Sequence, residues 1–332
     1  MIETREIKLE SWDRFATPNL DVEYHLVGQS HVFPYMGATV TLSLPEHERI
    51  AEGRDAGYVH EWQMVDEQQI PQKVFVHQVD VCVQRGHCIT LPAEVLSRAP
   101  KAFDLIEADD QKRLDTIVGE ANDIASNAFE YWLSIMRWKS GNYRIGRPGI
   151  PDNSTGWSTY LRESVSLARV WIAPNIIAVS ASDPVTRDEW ESVRSALEIC
   201  QEVPIHLKFF DDAQESFSRH EFRRSIIDLA IACEVFMRTL VLQRLPPDLD
   251  PDVRAMVEDA NINQYMRKFV PNALTEEGKR RLKALASAQL ESMFAARNKI
   301  MHMAKEDRAT GENCLRFIRA VETLFEIGAM TT

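Results

Sequence analysis
The sequence predicts an α+β protein: a domain of mixed strands and helix over residues 1–180, then an all-α antiparallel helical bundle over 181–332. The charge is uneven. Of the net -12, residues 1–200 hold 19 basic and 30 acidic side chains, whereas residues 201–332 hold 19 and 20. All seven tryptophans (12, 62, 132, 138, 157, 171 and 190) and ten of the 13 glycines fall in the first 200 residues. The apolar period also changes, from two in the first hundred residues to helical beyond residue 109. A compositional step of this size places the junction of two architectures near 180–200.

In the first domain, residues 21–27, 38–44 and 73–83 alternate apolar and polar side chains as half-buried strands do, and the last run is rich in valine. Residues 109–138 carry Leu114, Ile117, Val118, Ala121, Ile124, Phe129 and Trp132 at helical spacing. Trp132 and Trp138 on that helix read as packing residues rather than a base-stacking platform. Residues 141–157 collect Gly, Pro, Asn and Ser and read as a loop, inside which the sequon Asn153-Ser154-Thr155 is a coincidence in a cytosolic chain. Residues 168–173 read as a last strand or helix end.

The remainder reads as five helices. One starts at Thr186, and the others lie near 219–245, 252–269, 275–304 and 311–328. Thr186-Arg187-Asp188-Glu189 and Ser218-Arg219-His220-Glu221 both match the capping box, in which hydroxyl and carboxylate satisfy each other's backbone donors. Phe222, Ile226, Leu229, Cys233, Phe236 and Leu240 share one helix face, and Pro246-Pro247 stops that helix.

Several function classes fall away. No apolar run approaches the ~18 residues of a membrane span, and the N-terminus lacks a signal pattern. Five cysteines form an odd, sparse set, so a reducing cytosol is expected rather than a disulfide framework. Neither a Gly-rich phosphate loop nor a Gly-x-Ser-x-Gly elbow occurs. Cys82 and Cys88 with His77 and His87 have the wrong spacing for zinc, so neither metal nor cofactor is expected. The acidic total argues against broad coating of nucleic acid.

One helix carries an oddity. Its apolar stripe runs Leu282, Ala286, Leu290, Met293 and Ile300, and Arg297 falls inside it. A core-facing guanidinium needs a partner. Asn298 and His302, four apart, stack on the adjacent face, and the three converge near one helix end. Residues 267–308 hold ten Lys/Arg against five Asp/Glu. Lys279, Arg280, Arg281 and Lys283, with Lys299 and Lys305 nearer the site, could track a phosphate backbone, or could simply be a solvated helix face.

Arg297-Asn298-Lys299-Ile300-Met301-His302 resembles the Arg-x4–6-His motif of HEPN domains, in which a polar residue commonly follows the arginine. Ile226 to Glu234 resembles the Ala-x-Glu helix of the Apea-like branch of that family. The resemblance covers roughly residues 186–328. Arg54 to His60 also fits the motif, but in a Gly-containing loop without helical period, and is set aside.

The resemblance implies a HEPN-like bundle acting as a metal-independent endoribonuclease, working as a homodimer with two motifs facing each other, in the setting of a toxin or phage-defence effector. The residue types suit that chemistry. A ribose 2′-hydroxyl attacks the adjacent phosphorus, leaving 2′,3′-cyclic phosphate and 5′-hydroxyl ends. His302 would serve as base or acid, Arg297 would pair with the non-bridging oxygens, and Asn298 would orient the imidazole or bind phosphate. Glu234 would hold Arg297 in place. The acidic first domain, a sensor or regulatory part, would cover the basic bundle. The alternative is a non-catalytic HEPN-like module that dimerises and binds nucleotide or a partner, with a buried Arg297–Glu234 pair and His302 at a helix end that favours cations.

Overall fold
The computed structural model describes residues 4–52, 56–92, 106–147, 160–162, 169–172, 183–303 and 308–330. The architecture is α+β, and the chain divides into two compact units, residues 1–202 and 203–332.

In the N-terminal unit, β1 (Thr4–Lys8) pairs with β7 (Cys88–Pro92) as a separate two-stranded ladder. The main sheet is antiparallel and comprises β2 (Ser11–Glu23), β3 (Ser30–Tyr35), β4 (Ala38–Ser43), β5 (Gly57–Val65) and β6 (Gln68–Gln84). A short helix, α1 (His47–Glu52), lies between β4 and β5. The long strand β6 is the spine: β2 runs along one edge, β5 and then β4 along the other, and β3 lies beyond β4. Its valines explain this position, because Val74, Val76, Val79, Val81 and Val83 are all buried. Their alternation changes parity between 76 and 79, where the opposing strand shifts register between Ala16 and Leu20 through Asn19 at φ 58°.

The strand expected over 21–27 is corrected. It ends at Glu23, and Tyr24–Leu26 is a 3-10 turn whose buried Leu26 mimics strand alternation. The loop expected around 54–60 is corrected as well, since β5 begins at Gly57 and places His60 on a strand.

Helix α2 (Ala108–Ser140) crosses the sheet and ends on Gly141 at φ 67°, a left-handed C-cap that glycine adopts without strain. Its buried face runs from Ala121 through Phe129 to Met136, and Phe129 stacks on Phe15 at 4.6 Å. A second ladder joins β8 (Tyr160–Arg162) and β9 (Arg169–Ile172), close to the strand expected over 168–173. Asn153 and Trp157 lie outside the described residues.

Helix α3 (Arg187–Glu198) starts with the expected Thr186–Glu189 capping box. It packs on α2 and β3 through buried Trp190 and Val193, and thus falls in the N-terminal unit. The compact units therefore meet at 202/203 rather than at 180/181, and the helix expected to open the bundle lies outside it.

In the C-terminal unit the described residues form α4 (Ile205–Ser218), α5 (Phe222–Leu242), α6 (Pro251–Glu258), and a helical run from Ile262–Gln264 through the π turn Tyr265–Phe269 to Val270–Asn272. Then follow α7 (Glu276–Leu285), a π turn (Ala286–Leu290), α8 (Glu291–Met303) and α9 (Gly311–Gly328). Central α5 buries Ile226, Leu229, Cys233, Met237 and Leu240 against α4, α8 and α9.

Two further expectations are corrected. Helix α4, whose buried face is Leu207, Phe210, Ala213 and Phe217, is absent from the five anticipated, and it consumes Ser218 as its last residue. Ser218 therefore caps nothing downstream. The chain reverses through His220 at φ 61°, and Glu221 is the N-cap of α5 without a side-chain capping bond. The helix expected over 252–269 is interrupted after Glu258 and restarts with a capping box, Asn261 to Gln264. Among the described residues no helix is long and apolar enough to cross a membrane.

Candidate functional site
Helix α8 carries the three motif residues on its last two turns. Met293, Ala296 and Ile300 are buried and anchor one face of the helix. Arg297 is half-buried on the edge of that face, while Asn298, Met301 and His302 are exposed. The Arg297 guanidinium makes its bond at the exposed surface. There its Nη1 donates to Asn298 Oδ1 at 2.9 Å. Five residues on, His302 points about 140° around the helix from Arg297 by the 3.6-residue period. It sits in the final turn, where a helix dipole favours a cation. The motif is thus a hydrogen-bonded guanidinium and amide at the surface, with the exposed imidazole of His302 one helical turn beyond Asn298.

Glu234 is placed otherwise than expected. Its Oε1 accepts from Arg238 Nε at 3.2 Å and Nη2 at 3.0 Å, an i,i+4 pair on α5. Arg238 also donates to the Ala260 carbonyl at 3.1 Å and to the Glu258 carbonyl, and lies 4.8 Å over the ring of buried Tyr265. Glu234 therefore braces a clasp that satisfies carbonyls at the C-terminus of α6, rather than holding Arg297.

The basic residues are largely spoken for. Lys279 pairs with Glu276 at 2.6 Å, Arg280 with Glu277 at 2.6 Å, Arg281 with Glu326 at 3.0 Å and Arg267 with Glu291 at 2.7 Å. Lys283 is exposed and Lys299 half-buried, and Lys305 lies outside the described residues. Exposed pairs of this kind contribute little to stability, but they reduce the free positive charge of the surface.

Sequence reading missed two sites in the N-terminal unit. Asp21, 2% exposed on β2, has its Oδ1 2.9 Å from Nε2 of His60 on β5. One strand position further along, a cleft of about 400 Å³ is lined by Glu23, His25, Glu61, Lys73, Ile70 and Pro184 among others. The other is His31, 1% exposed, stacked on Trp190 at 3.8 Å and bonded to the Trp132 indole at 3.0 Å. No local periodicity signals either, since the partners come from distant strands and helices. Trp132 is a core residue, and Trp138 carries Lys139 Nζ 3.9 Å from its ring centroid. Cys82 is buried on β6 and Cys88 exposed on β7, and among the described residues no three His, Cys, Asp or Glu side chains gather as metal ligands. Comparison with protein-family models, with curated proteins and with solved structures finds no match to this chain.

Proposed function
We propose that the C-terminal unit is a metal-independent endoribonuclease of the HEPN type, acting on RNA through Arg297, Asn298 and His302. The observation that carries this reading is the Arg297–Asn298 pair at the surface with His302 exposed one turn on, and among the described residues no carboxylate is paired with Arg297. In the reaction His302 takes the 2′-hydroxyl proton, or returns one to the leaving 5′-oxygen. Arg297 meets the charge that accumulates on the non-bridging oxygens, with Asn298 holding the guanidinium toward it. A homodimer with two such motifs facing would supply base and acid from separate copies. A toxin or phage-defence setting in the cytoplasm fits that output.

Wild-type protein incubated with total RNA in EDTA is expected to leave 2′,3′-cyclic phosphate and 5′-hydroxyl ends. His302→Ala is expected to lower the rate by about 10²- to 10⁴-fold, the usual weight of a general acid–base group. Cleavage abolished by EDTA, or full activity in His302→Ala, refutes the mechanism. A second reading, a non-catalytic HEPN-like module that dimerises and binds nucleotide or a partner, is favoured by the carboxylate partners of Lys279, Arg280 and Arg281. RNA or nucleotide binding by a dimer that leaves RNA intact selects it.

A further inference from the structure
Among the described residues, nothing pairs with the outer strand edge at the tip of the β5–β6 hairpin. Every residue from 61 to 70 is exposed, among them Trp62 at 51%, Met64 at 61%, Val65 at 40% and Ile70 at 39%. A bare two-stranded ribbon is marginal in water, and a run of exposed large apolar side chains marks an interaction surface. The turn is Asp66-Glu67, both at positive φ (47° and 69°), the two-residue type that holds the flanking strands in register.

The register locates the free backbone groups. Val65 faces Gln68 across the turn, Met64 faces Gln69, Gln63 faces Ile70 and Trp62 faces Pro71. In a two-residue hairpin the pair closing the turn exchanges hydrogen bonds and the pairs then alternate. Met64 and Trp62 thus fall in non-bonded pairs, which agrees with Pro71, lacking an N–H, opposite Trp62. Their own N–H and C=O groups point outward, away from β6. Among the described residues β5 pairs with β6 alone.

Proteins commonly blunt such an edge with lysine. Residues 57–72 contain no Lys or Arg, and their charges are Glu61, Asp66 and Glu67. The next base along the strand, Lys73, is already held on Glu61 at 2.6 Å. That charge selects the occupant. A second copy would bring the same three carboxylates, and nucleic acid is itself anionic, so both are repelled. A strand with basic and apolar side chains is complementary in charge, in apolar surface and in backbone hydrogen bonding.

We propose that the outer edge of β5, from Glu61 to Val65, receives an extended basic segment of a partner protein by strand addition. The probe is a fluorescein-labelled peptide of alternating valine and lysine, with a valine–glutamate peptide as its counterpart, titrated into the full chain. Saturable single-site binding of the lysine peptide is expected, at least about tenfold tighter than the glutamate peptide. Hydrogen exchange should slow at the Trp62 and Met64 amides. Met64→Pro removes an outward N–H without touching the hairpin ladder, and should weaken binding about tenfold or more at an unchanged circular-dichroism spectrum. Glu61→Gln with Glu67→Gln, which leaves the backbone edge intact, should also weaken it. Absence of saturable binding, equal binding of the two peptides, or full binding by Met64→Pro overturns the proposal. Self-association abolished by Met64→Pro would assign the edge to a second copy and overturn it too.

Discussion
His31 has both ring nitrogens occupied inside the N-terminal core. Nδ1 accepts from the Trp132 indole N–H at 3.0 Å, which leaves Nε2–H to donate to the Trp190 carbonyl at 3.1 Å. Burial lowers its pKa to about 3, so the ring is neutral in the folded protein at pH 7. The unfolded chain takes up this proton near the ordinary histidine value while the folded one does not. Stability is therefore full above about pH 6.5 and falls on acidification toward pH 3, at about 1.4 kcal/mol per pH unit for one proton. Burial against Phe236 and Phe325 lowers His206 to about 4, with the same sign in the C-terminal unit. Urea unfolding between pH 4.5 and 7.5 checks this. His31→Leu should flatten the acid limb of the N-terminal transition while costing about 2–5 kcal/mol at pH 7.5, because it orphans a buried donor and a buried carbonyl. An unchanged limb in His31→Leu would count against the assignment. Arg238 makes a second residue-scale case. Arg238→Met should cost about 1–3 kcal/mol by uncapping the carbonyls of Glu258 and Ala260, and Glu234→Gln less, measured by the same unfolding. The Glu234–Arg238 pair is legible in sequence as an i,i+4 spacing. The contacts of His31 span 101 and 159 residues, and nothing local announces them.

Two Ser/Thr-x-x-Glu matches have opposite fates, and the reason lies at the scale of elements. Thr186 accepts from the Glu189 N–H, and the Glu189 carboxylate accepts from the Thr186 N–H. The Ser218 hydroxyl instead donates to the Glu215 carbonyl at 2.7 Å inside the end of α4. Thr186→Ala is expected to cost about 1 kcal/mol, and Ser218→Ala less than about 0.5 kcal/mol, in thermal or urea unfolding. Equal losses would show that Ser218 caps α5 after all. At the same junction His220→Gly should stabilise by up to about 1 kcal/mol, because a residue with a Cβ is disfavoured at φ 61°. The capping-box pattern was readable, but deciding between its two instances required knowing that α4 exists. Its face of Leu207, Phe210, Ala213 and Phe217 has the helical period, but no side-chain cap marks its start, where Pro204 stands at the N-cap.

At the scale of the whole molecule, the boundary at 202/203 determines what can be cut. A fragment of residues 203–332 is expected to unfold cooperatively with high helical content. A fragment of 181–332 would carry α3 without its seat, exposing Trp190, Val193 and Leu197. Dye binding to exposed apolar surface should therefore be higher for the longer fragment. The acidic excess lies almost wholly in residues 1–200, so if that half restrains the proposed nuclease, residues 203–332 should cleave RNA faster than the full chain. Equal or lower activity of a folded fragment would remove the restraint from consideration.

The sequence by itself determined the α+β class, the change from strand period to helical period, the cap at Thr186 and the place of Arg297, Asn298 and His302 near one helix end. Each of these follows from local spacing, and local spacing survives without knowledge of the rest of the chain. Only the tertiary structure decided which unit claims α3, which carboxylate Arg238 rather than Arg297 engages, how many of the basic side chains are already paired, and that Asp21 and His60 meet. These depend on burial and on partners distant in sequence, and the energy of such contacts is set by the neighbours that folding brings together.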